Sequence, residues 1–136
     1  MRLRVVIVLF CFTGMNALAS HHGWSPVEAF SNADGTLQFV EMTTNGNGES
    51  SLTAAKLDAT NLSTNAFKQF TIADLSSSST AGKSLLIATS GFEAVYGITP
   101  DFIIEDNFLT MTAGDVWYNQ ALTWSDGLPI DGWQSY

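Results

Sequence analysis

The stretch that decides the fold is WSPVEAFSNADGTLQFVEM, residues 24–42. Two runs rich in aromatic and branched residues flank a short polar segment that contains Asp34-Gly35. Asp-Gly between such runs is a strong hairpin signal, because both residues tolerate the positive φ angles of a type I′ turn. The stretch therefore predicts two antiparallel strands joined by a two-residue loop at Asp34-Gly35.

Counting outward from this loop gives the predicted register of the hairpin. Glu28 would lie opposite Glu41, and Val27 opposite Met42. Because successive side chains alternate between the two faces of a strand, the small aliphatic residues would share one face. The phenylalanines and both glutamates would share the other face. Like charges directly opposite each other are unfavourable, so something must offset them. We expect a structural role, in which the two glutamates bind the backbone of a neighbouring loop, and a ligand-binding role stays open.

The rest of the sequence is predicted to form more short strands. Ser84–Thr89 contains an apolar run typical of a strand buried on both faces. A single helical turn is predicted over Phe92–Tyr96, and a second hairpin around Asn119-Gln120. About seven or eight short antiparallel strands separated by polar turns predict an all-β sandwich. The predicted core comprises Val27, Phe39, Val40, Leu85, Ile87, Phe102 and Ile104.

Residues 1–19 have the pattern of a secretory signal peptide. A positively charged start precedes the apolar run Val5–Phe12, and a small-residue cleavage site ends at Ala19. The apolar run is shorter than the roughly 20 residues that span a bilayer, so no membrane insertion is expected after cleavage. We therefore predict a secreted or periplasmic protein whose single domain covers residues 20–136.

The composition is strongly acidic. Thirteen Asp and Glu residues oppose five Lys and Arg, which gives a formal net charge of −8. The single cysteine, Cys11, lies inside the predicted signal peptide, so the exported protein is expected to have no internal disulfide. A field of this sign repels nucleic acid. The expected partner is therefore an unknown extracellular or cell-surface ligand.

The opening hairpin resembles that of lamin-tail-like domains, which bacteria secrete in many forms. The resemblance lies in Val27-Glu28, the Gly-containing turn and Phe39-Val40-Glu41-Met42. Further matches are Leu85-Leu86-Ile87-Ala88-Thr89, Thr99-Pro100-Asp101-Phe102 and Leu128-Pro129 with Asp131-Gly132. The resemblance covers nearly all of the sequence after Ser20. It implies an immunoglobulin-like β-sandwich that serves as a binding or attachment module and has no catalytic residue.

Metal sites have weak support in the sequence. Cleavage after Ala19 would leave a free amine with His21 and His22 in second and third place, an arrangement that can bind Cu(II) or Ni(II). The simpler interpretation is a solvated terminus. Phe30–Glu41 partly matches a calcium loop but has Phe30 where a carboxylate is required. No cofactor is expected.

Three kinds of function remain open. The first is the binding or attachment module without catalytic residues. The second is carbohydrate binding, for which exposed aromatics such as Trp117 and Trp124 could stack on sugar rings, although large aromatics often fill the core instead. The third is a small hydrolase that uses Glu28 and Glu41 as paired carboxylates, which would require a sugar cleft beside them. The candidate ligand-binding residues are therefore Glu28, Glu41, Trp117 and Trp124.

Overall fold

A computed structural model describes residues 23–53, 55–130 and 135–136; the predicted signal peptide lies outside them. The described residues form eight β-strands and one short α-helix. The strands are β1 Trp24–Ser31, β2 Gln38–Thr44, β3 Leu57–Asn61, β4 Phe67–Phe70, β5 Lys83–Thr89, β6 Phe102–Ile104, β7 Gly114–Tyr118 and β8 Gln120–Trp124, and the helix α1 is Phe92–Tyr96. The helix forms where the sequence predicts a single helical turn.

The eight strands form two four-stranded sheets. The first sheet has the order β1-β2-β5-β6, and the second has the order β4-β3-β7-β8. The predicted all-β sandwich is therefore confirmed. One detail differs, because β5 and β6 run parallel whereas every other neighbouring pair is antiparallel.

The core lies between the two sheets. Its largest fully buried side chains include Trp24, Met42, Leu57, Ile87, Val116, Tyr118 and Trp124. Among the predicted core residues, Val40, Leu85, Ile87 and Ile104 are buried. Phe39 and Phe102 are half-buried. The prediction for Val27 is wrong, since 47% of its surface is exposed.

The first hairpin has the predicted register but not the predicted turn. Glu28 pairs with Glu41, as expected from counting outward. The loop is six residues long, 32–37, and only Gly35 of the Asp-Gly pair has a positive φ, at 72°. A type I′ turn requires positive φ at both residues, so the turn prediction is wrong. The register survives because the longer loop has the same centre.

A β-bulge explains why Val27 leaves the core. Pro26 pairs with Met42 and Glu28 pairs with Glu41, so Val27 is an extra residue between the two pairs. Proline cannot donate a ladder hydrogen bond and is tolerated on edge strands and at bulges, and β1 lies at the end of the first sheet's strand order. The predicted pairing of Val27 with Met42 is therefore wrong.

A buried amide joins the first hairpin to the segment before β7. Gln38 is fully buried, and its Nε2 donates to the carbonyl oxygen of Leu109 at 2.9 Å. Its Oε1 accepts the Leu109 backbone N–H at 2.9 Å. Nε2 also donates to Ser31 Oγ, likewise buried, at 2.9 Å. The Gln38 amide thus satisfies both backbone groups of Leu109 in the protein interior.

Helix α1 covers part of the outer surface of the first sheet. Phe92 in α1 lies 5.4 Å from Phe39, and Tyr96 lies 6.4 Å from Phe30, measured between ring centroids. Phe30 and Phe39 are stacked on neighbouring strands at 5.4 Å. Gly97 ends the helix with a left-handed φ of 69°. The phenylalanine face of the hairpin is therefore shielded by α1.

Tyr118 anchors the loop before β3 to the core. Its hydroxyl donates to the carbonyl oxygen of Leu52 at 3.2 Å, and the tyrosine is fully buried. Asp74 holds the same loop, because its Oδ1 accepts the backbone N–H of Leu52 at 2.7 Å. Burial, assisted by the negative charges of Asp74 and Glu49, raises the pKa of Tyr118 to about 12.

The Tyr118 pKa predicts a specific loss of stability in alkali. Since the folded-state pKa exceeds the ordinary value of about 10, folding favours the protonated phenol. This contribution is fully present below pH ~10 and is lost as the pH rises toward ~12, by at most about 1.4 kcal/mol per pH unit. Urea denaturation at a series of alkaline pH values should show this slope, and Tyr118→Phe should remove it. An unchanged slope in the variant would contradict the assignment.

Candidate functional site

The outer face of the second sheet presents aromatic and polar side chains. Strands β3 and β7 alternate between buried and more exposed residues, which gives each strand one core-facing and one outward-facing side. Strand pairing extends these outward rows across the sheet. We call this surface the aromatic face; it comprises Asp58, Thr60, Phe67, Gln69, Asp115, Trp117, Ala121 and Thr123.

Two exposed rings give the aromatic face its name. Trp117 on β7 is 45% exposed, and Phe67 on β4 is 63% exposed. Phe67 pairs with Thr60, which pairs with Asp115, so the rings lie two strands and two residues apart. Their Cα atoms should thus be roughly 12 Å apart, from strand spacings of about 4.8 Å and rises of about 3.4 Å. The two rings lie diagonally across the face.

Two carboxylates lie between and beside the rings. Asp58 pairs directly with Trp117 across β3 and β7, and Asp115 precedes Trp117 by two residues on the same strand. Each aspartate has a buried Oδ1 without a hydrogen-bond partner among the described residues. Buried carboxylate oxygens normally have donors. The protein itself covers these two Oδ1 atoms, so a ligand on the aromatic face can reach only the solvent-exposed part of each half-buried aspartate.

The aromatic face contains two aspartates, and one lysine lies next to it. Lys56 precedes β3 and alternates in phase with Asp58, and its Nζ donates to the hydroxyl of Thr71. Lys68 belongs to the same edge strand as Phe67, but its Nζ forms an ion pair with Glu105 at 2.8 Å. Lys56 is therefore the one described lysine that lies on the same side of the second sheet as Asp58.

A hollow of about 420 Å³ adjoins this face at β4. Its lining includes Phe67 together with Ala59, Phe108, Leu109 and Met111. The hollow opens beside the edge strand and is largely apolar. Phe67 therefore belongs both to the aromatic face and to the rim of this hollow.

The predicted glutamate pair lies on the other sheet. Glu28 and Glu41 are direct neighbours in the hairpin and both are half-buried. Neither carboxylate has a hydrogen bond or ion pair within the described residues. Three hollows of about 410–420 Å³ are lined by other residues. The structure thus pairs the two residues across the hairpin, and neither of them lines one of these hollows. The expected hydrogen bonds from these glutamates to a neighbouring loop are not formed within the described residues.

The two candidate tryptophans face opposite ways. Trp117 points outward, whereas Trp124 is fully buried and its indole N–H donates to the carbonyl oxygen of Thr112 at 2.7 Å. Trp124 is therefore a core residue and is not accessible to a ligand. Sequence reasoning missed Phe67, Asp58 and Asp115 as members of the site. The alternation of Phe67 and Gln69 with Lys68 in the sequence is the signal that could have found Phe67.

The described residues do not test the candidate metal ligands. His21 and His22 lie outside the described residues. Residues 23–53, 55–130 and 135–136 contain no group of three or more His, Cys, Asp or Glu side chains that could hold a metal ion. Phe30–Glu41, the partial calcium-loop match, forms parts of the two strands and the loop of the first hairpin. Within the same ranges, no helix is long and apolar enough to cross a membrane.

The aromatic face can support stacking and hydrogen bonding at the same time. The exposed rings offer apolar surfaces, and the half-buried carboxylates of Asp58 and Asp115 lie beside them as potential acceptors. These are properties of a binding surface. Comparisons of this sequence and structure with protein-family models, with curated proteins and with solved structures find no match.

Proposed function

We propose that this protein is a non-catalytic binding module that holds a neutral oligosaccharide on its aromatic face. The observation that carries the proposal is the exposure of Trp117 and Phe67 on one face of one sheet. Tryptophan is enriched at binding surfaces, because it offers a large apolar ring together with a polar N–H group. A ligand that covers both rings would remove this apolar surface from water.

The polar groups of the aromatic face favour a sugar over other ligands. A pyranose ring has an apolar face that can stack on an aromatic ring and hydroxyl groups around its edge. Those hydroxyls would donate to the carboxylates of Asp58 and Asp115 through the part of each half-buried side chain that is open to solvent. Lys56 and Gln69 can donate to sugar oxygens from the same side of the sheet. The separation of roughly 12 Å between the Cα atoms of Phe67 and Trp117 is long enough to hold a few linked sugar units.

The proposed function also includes a location for the protein, which is outside the cytoplasm. We propose that the protein is exported through residues 1–19 and meets its ligand outside the cell or in the periplasm. We also propose kinship with lamin-tail-like domains, supported by the hairpin motif around Phe39-Val40-Glu41-Met42 and by the two-sheet architecture. Such a module would attach the protein to a glycan surface instead of changing it chemically.

Changing Trp117 should separate ring stacking from general apolar contact. Trp117→Leu should weaken binding to the recognised oligosaccharide at least about tenfold, the equivalent of about 1.4 kcal/mol. Trp117→Phe keeps a flat ring and should retain most of the affinity. The probes are soluble cello-, xylo-, manno- and chito-oligosaccharides, screened on a glycan array and then measured by titration calorimetry.

Two controls complete this experiment: a substitution on the other sheet and a change in ionic strength. Ile103→Ala truncates a 50% exposed apolar residue of β6 and should leave binding unchanged. Binding to a neutral sugar should also be insensitive to salt, whereas a basic peptide ligand would be released as ionic strength rises. Equal binding by the wild type and Trp117→Leu would exclude the aromatic face. A complete absence of glycan binding would overturn the proposed function.

A further inference from the structure

The loop after β2 contains the only two Asn-Gly pairs of the sequence, Asn45-Gly46 and Asn47-Gly48. Both asparagines are exposed. Glycine has no side chain to hinder its backbone nitrogen, so that nitrogen can approach the Cγ carbonyl of the preceding asparagine. Asn-Gly pairs are for this reason the usual positions of spontaneous deamidation in proteins.

The reaction needs only water. The glycine nitrogen attacks Cγ of the asparagine and forms a new C–N bond, while the bond between Cγ and Nδ2 breaks and ammonia leaves. Water then opens the five-membered imide at either carbonyl, giving aspartate or isoaspartate. The net change is the replacement of ammonia by water, with one added negative charge at neutral pH.

The structure holds both reacting groups of the second pair. Asn47 Oδ1 accepts the backbone N–H of Thr80 at 3.1 Å, which fixes the asparagine amide. The backbone N–H of Gly48 donates to the carbonyl oxygen of Ser78 at 2.8 Å, which holds the attacking nitrogen. Attack would require both contacts to open together.

The two reacting groups of the first pair are held more loosely. The backbone N–H of Gly46 donates to Thr44 Oγ1 at 3.0 Å, a contact within the same turn. The amide group of Asn45 has no hydrogen bond within the described residues. It can therefore rotate toward the Gly46 nitrogen without breaking a contact to another loop.

Thr80 is the residue that fastens the two loops together. Only 2% of its surface is exposed. Its Oγ1 donates to the carbonyl oxygen of Gly46 at 2.8 Å and accepts the backbone N–H of Glu49 at 3.1 Å. Its hydroxyl and its backbone N–H together hold the loop on both sides of Asn47.

We propose that Asn45 is a site of spontaneous deamidation in the folded protein, and that Thr80 protects Asn47 from the same reaction. Conversion is thus ordered: Asn45 reacts in the native state, and Asn47 reacts only after the contacts to residues 78–80 open. Each conversion adds a negative charge to a protein of formal net charge −8. The fraction of molecules converted at Asn45 therefore increases with the time that the protein has spent folded.

Peptide mapping by mass spectrometry of the full-length protein, incubated at neutral to mildly alkaline pH, tests the order. In the folded protein Asn45 should convert at least about tenfold faster than Asn47, since local opening must come first at Asn47. In the protein unfolded in urea the two rates should be similar. Equal rates in the folded protein, or no conversion at Asn45 while the unfolded protein reacts, would overturn the proposal.

Two substitutions at one position test the role of Thr80. Thr80→Val keeps the backbone N–H that contacts Asn47 but removes the hydroxyl contacts to Gly46 and Glu49 on both sides of it. The loosened loop should raise the rate at Asn47 several-fold, and any rise at Asn45 should be smaller because neither reacting group of that pair contacts Thr80. Thr80→Ser keeps the hydroxyl and should keep Asn47 protected. Circular dichroism shows whether each variant is folded. Unchanged protection of Asn47 in folded Thr80→Val, or its loss in folded Thr80→Ser, would contradict the proposed clamp.

Discussion

Replacing Gln38 with leucine should lower the free energy of unfolding by about 2–6 kcal/mol, since two buried backbone groups each lose their partner at about 1–3 kcal/mol. The groups are the N–H and carbonyl of Leu109, each 2.9 Å from the Gln38 amide. Leucine fills similar space but offers neither a donor nor an acceptor. Urea denaturation of the variant and the wild type measures the difference.

Gln38→Glu is the matched control for this result. A protonated glutamic acid can accept from the Leu109 N–H and donate to the Leu109 carbonyl, whereas the ionised form can only accept. The folded-state pKa of the introduced carboxyl should therefore lie above its unfolded value of about 4.3. The stability of this variant should be near that of the wild type below pH ~4 and should fall as the pH rises from there through the folded pKa. A pH-independent loss would show that hydrogen bonding at Leu109 is not the cause.

Replacing Ile87 with alanine should cost about 2–5 kcal/mol of stability, because it leaves a cavity in a close-packed core. Ile87 is fully buried on β5, where it pairs with Val40 of β2 on one side and Phe102 of β6 on the other. Ile103→Ala is the same chemical change at a 50% exposed position of β6. It should cost less than about 1 kcal/mol. Similar costs for the two variants would contradict the central position of β5.

The register of the first hairpin was predictable because the predicted loop and the observed loop are both centred on Asp34-Gly35. A loop of two residues and a loop of six residues around Asp34-Gly35 give the same pairing of Glu28 with Glu41. The bulge at Val27 was not predictable from alternation alone. It depends on Pro26, whose missing N–H removes one ladder hydrogen bond and permits an extra residue.

The orientation of the tryptophans depended on a single residue in the second hairpin. A two-residue turn at Asn119-Gln120 would pair Trp117 with Leu122 and would put Trp117 and Trp124 on one face. The hairpin instead turns at Asn119, with a φ of 67°, and Trp117 pairs with Ala121. A shift of one residue moves a whole set of side chains to the opposite face. Trp124 therefore lies in the core and Trp117 lies outside.

The aromatic face itself could be predicted only in part. The alternation of β4 shows that Phe67 and Gln69 share a side, but not whether that side meets the core. The pairing of β3 with both β4 and β7 places Phe67 and Trp117 on one surface. These strands are distant in sequence, so no local pattern contains this information.

The most direct test of the proposed binding surface is an NMR titration of the ¹⁵N-labelled protein with the oligosaccharide that the glycan screen selects. We expect the largest shifts at the indole N–H of Trp117 and at the backbone amides of Asp58, Phe67 and Asp115. Residues of the first sheet should be unaffected. Shifts centred on Glu28 and Glu41, especially with cleavage of the oligosaccharide during the titration, would contradict a non-catalytic module that binds through the aromatic face.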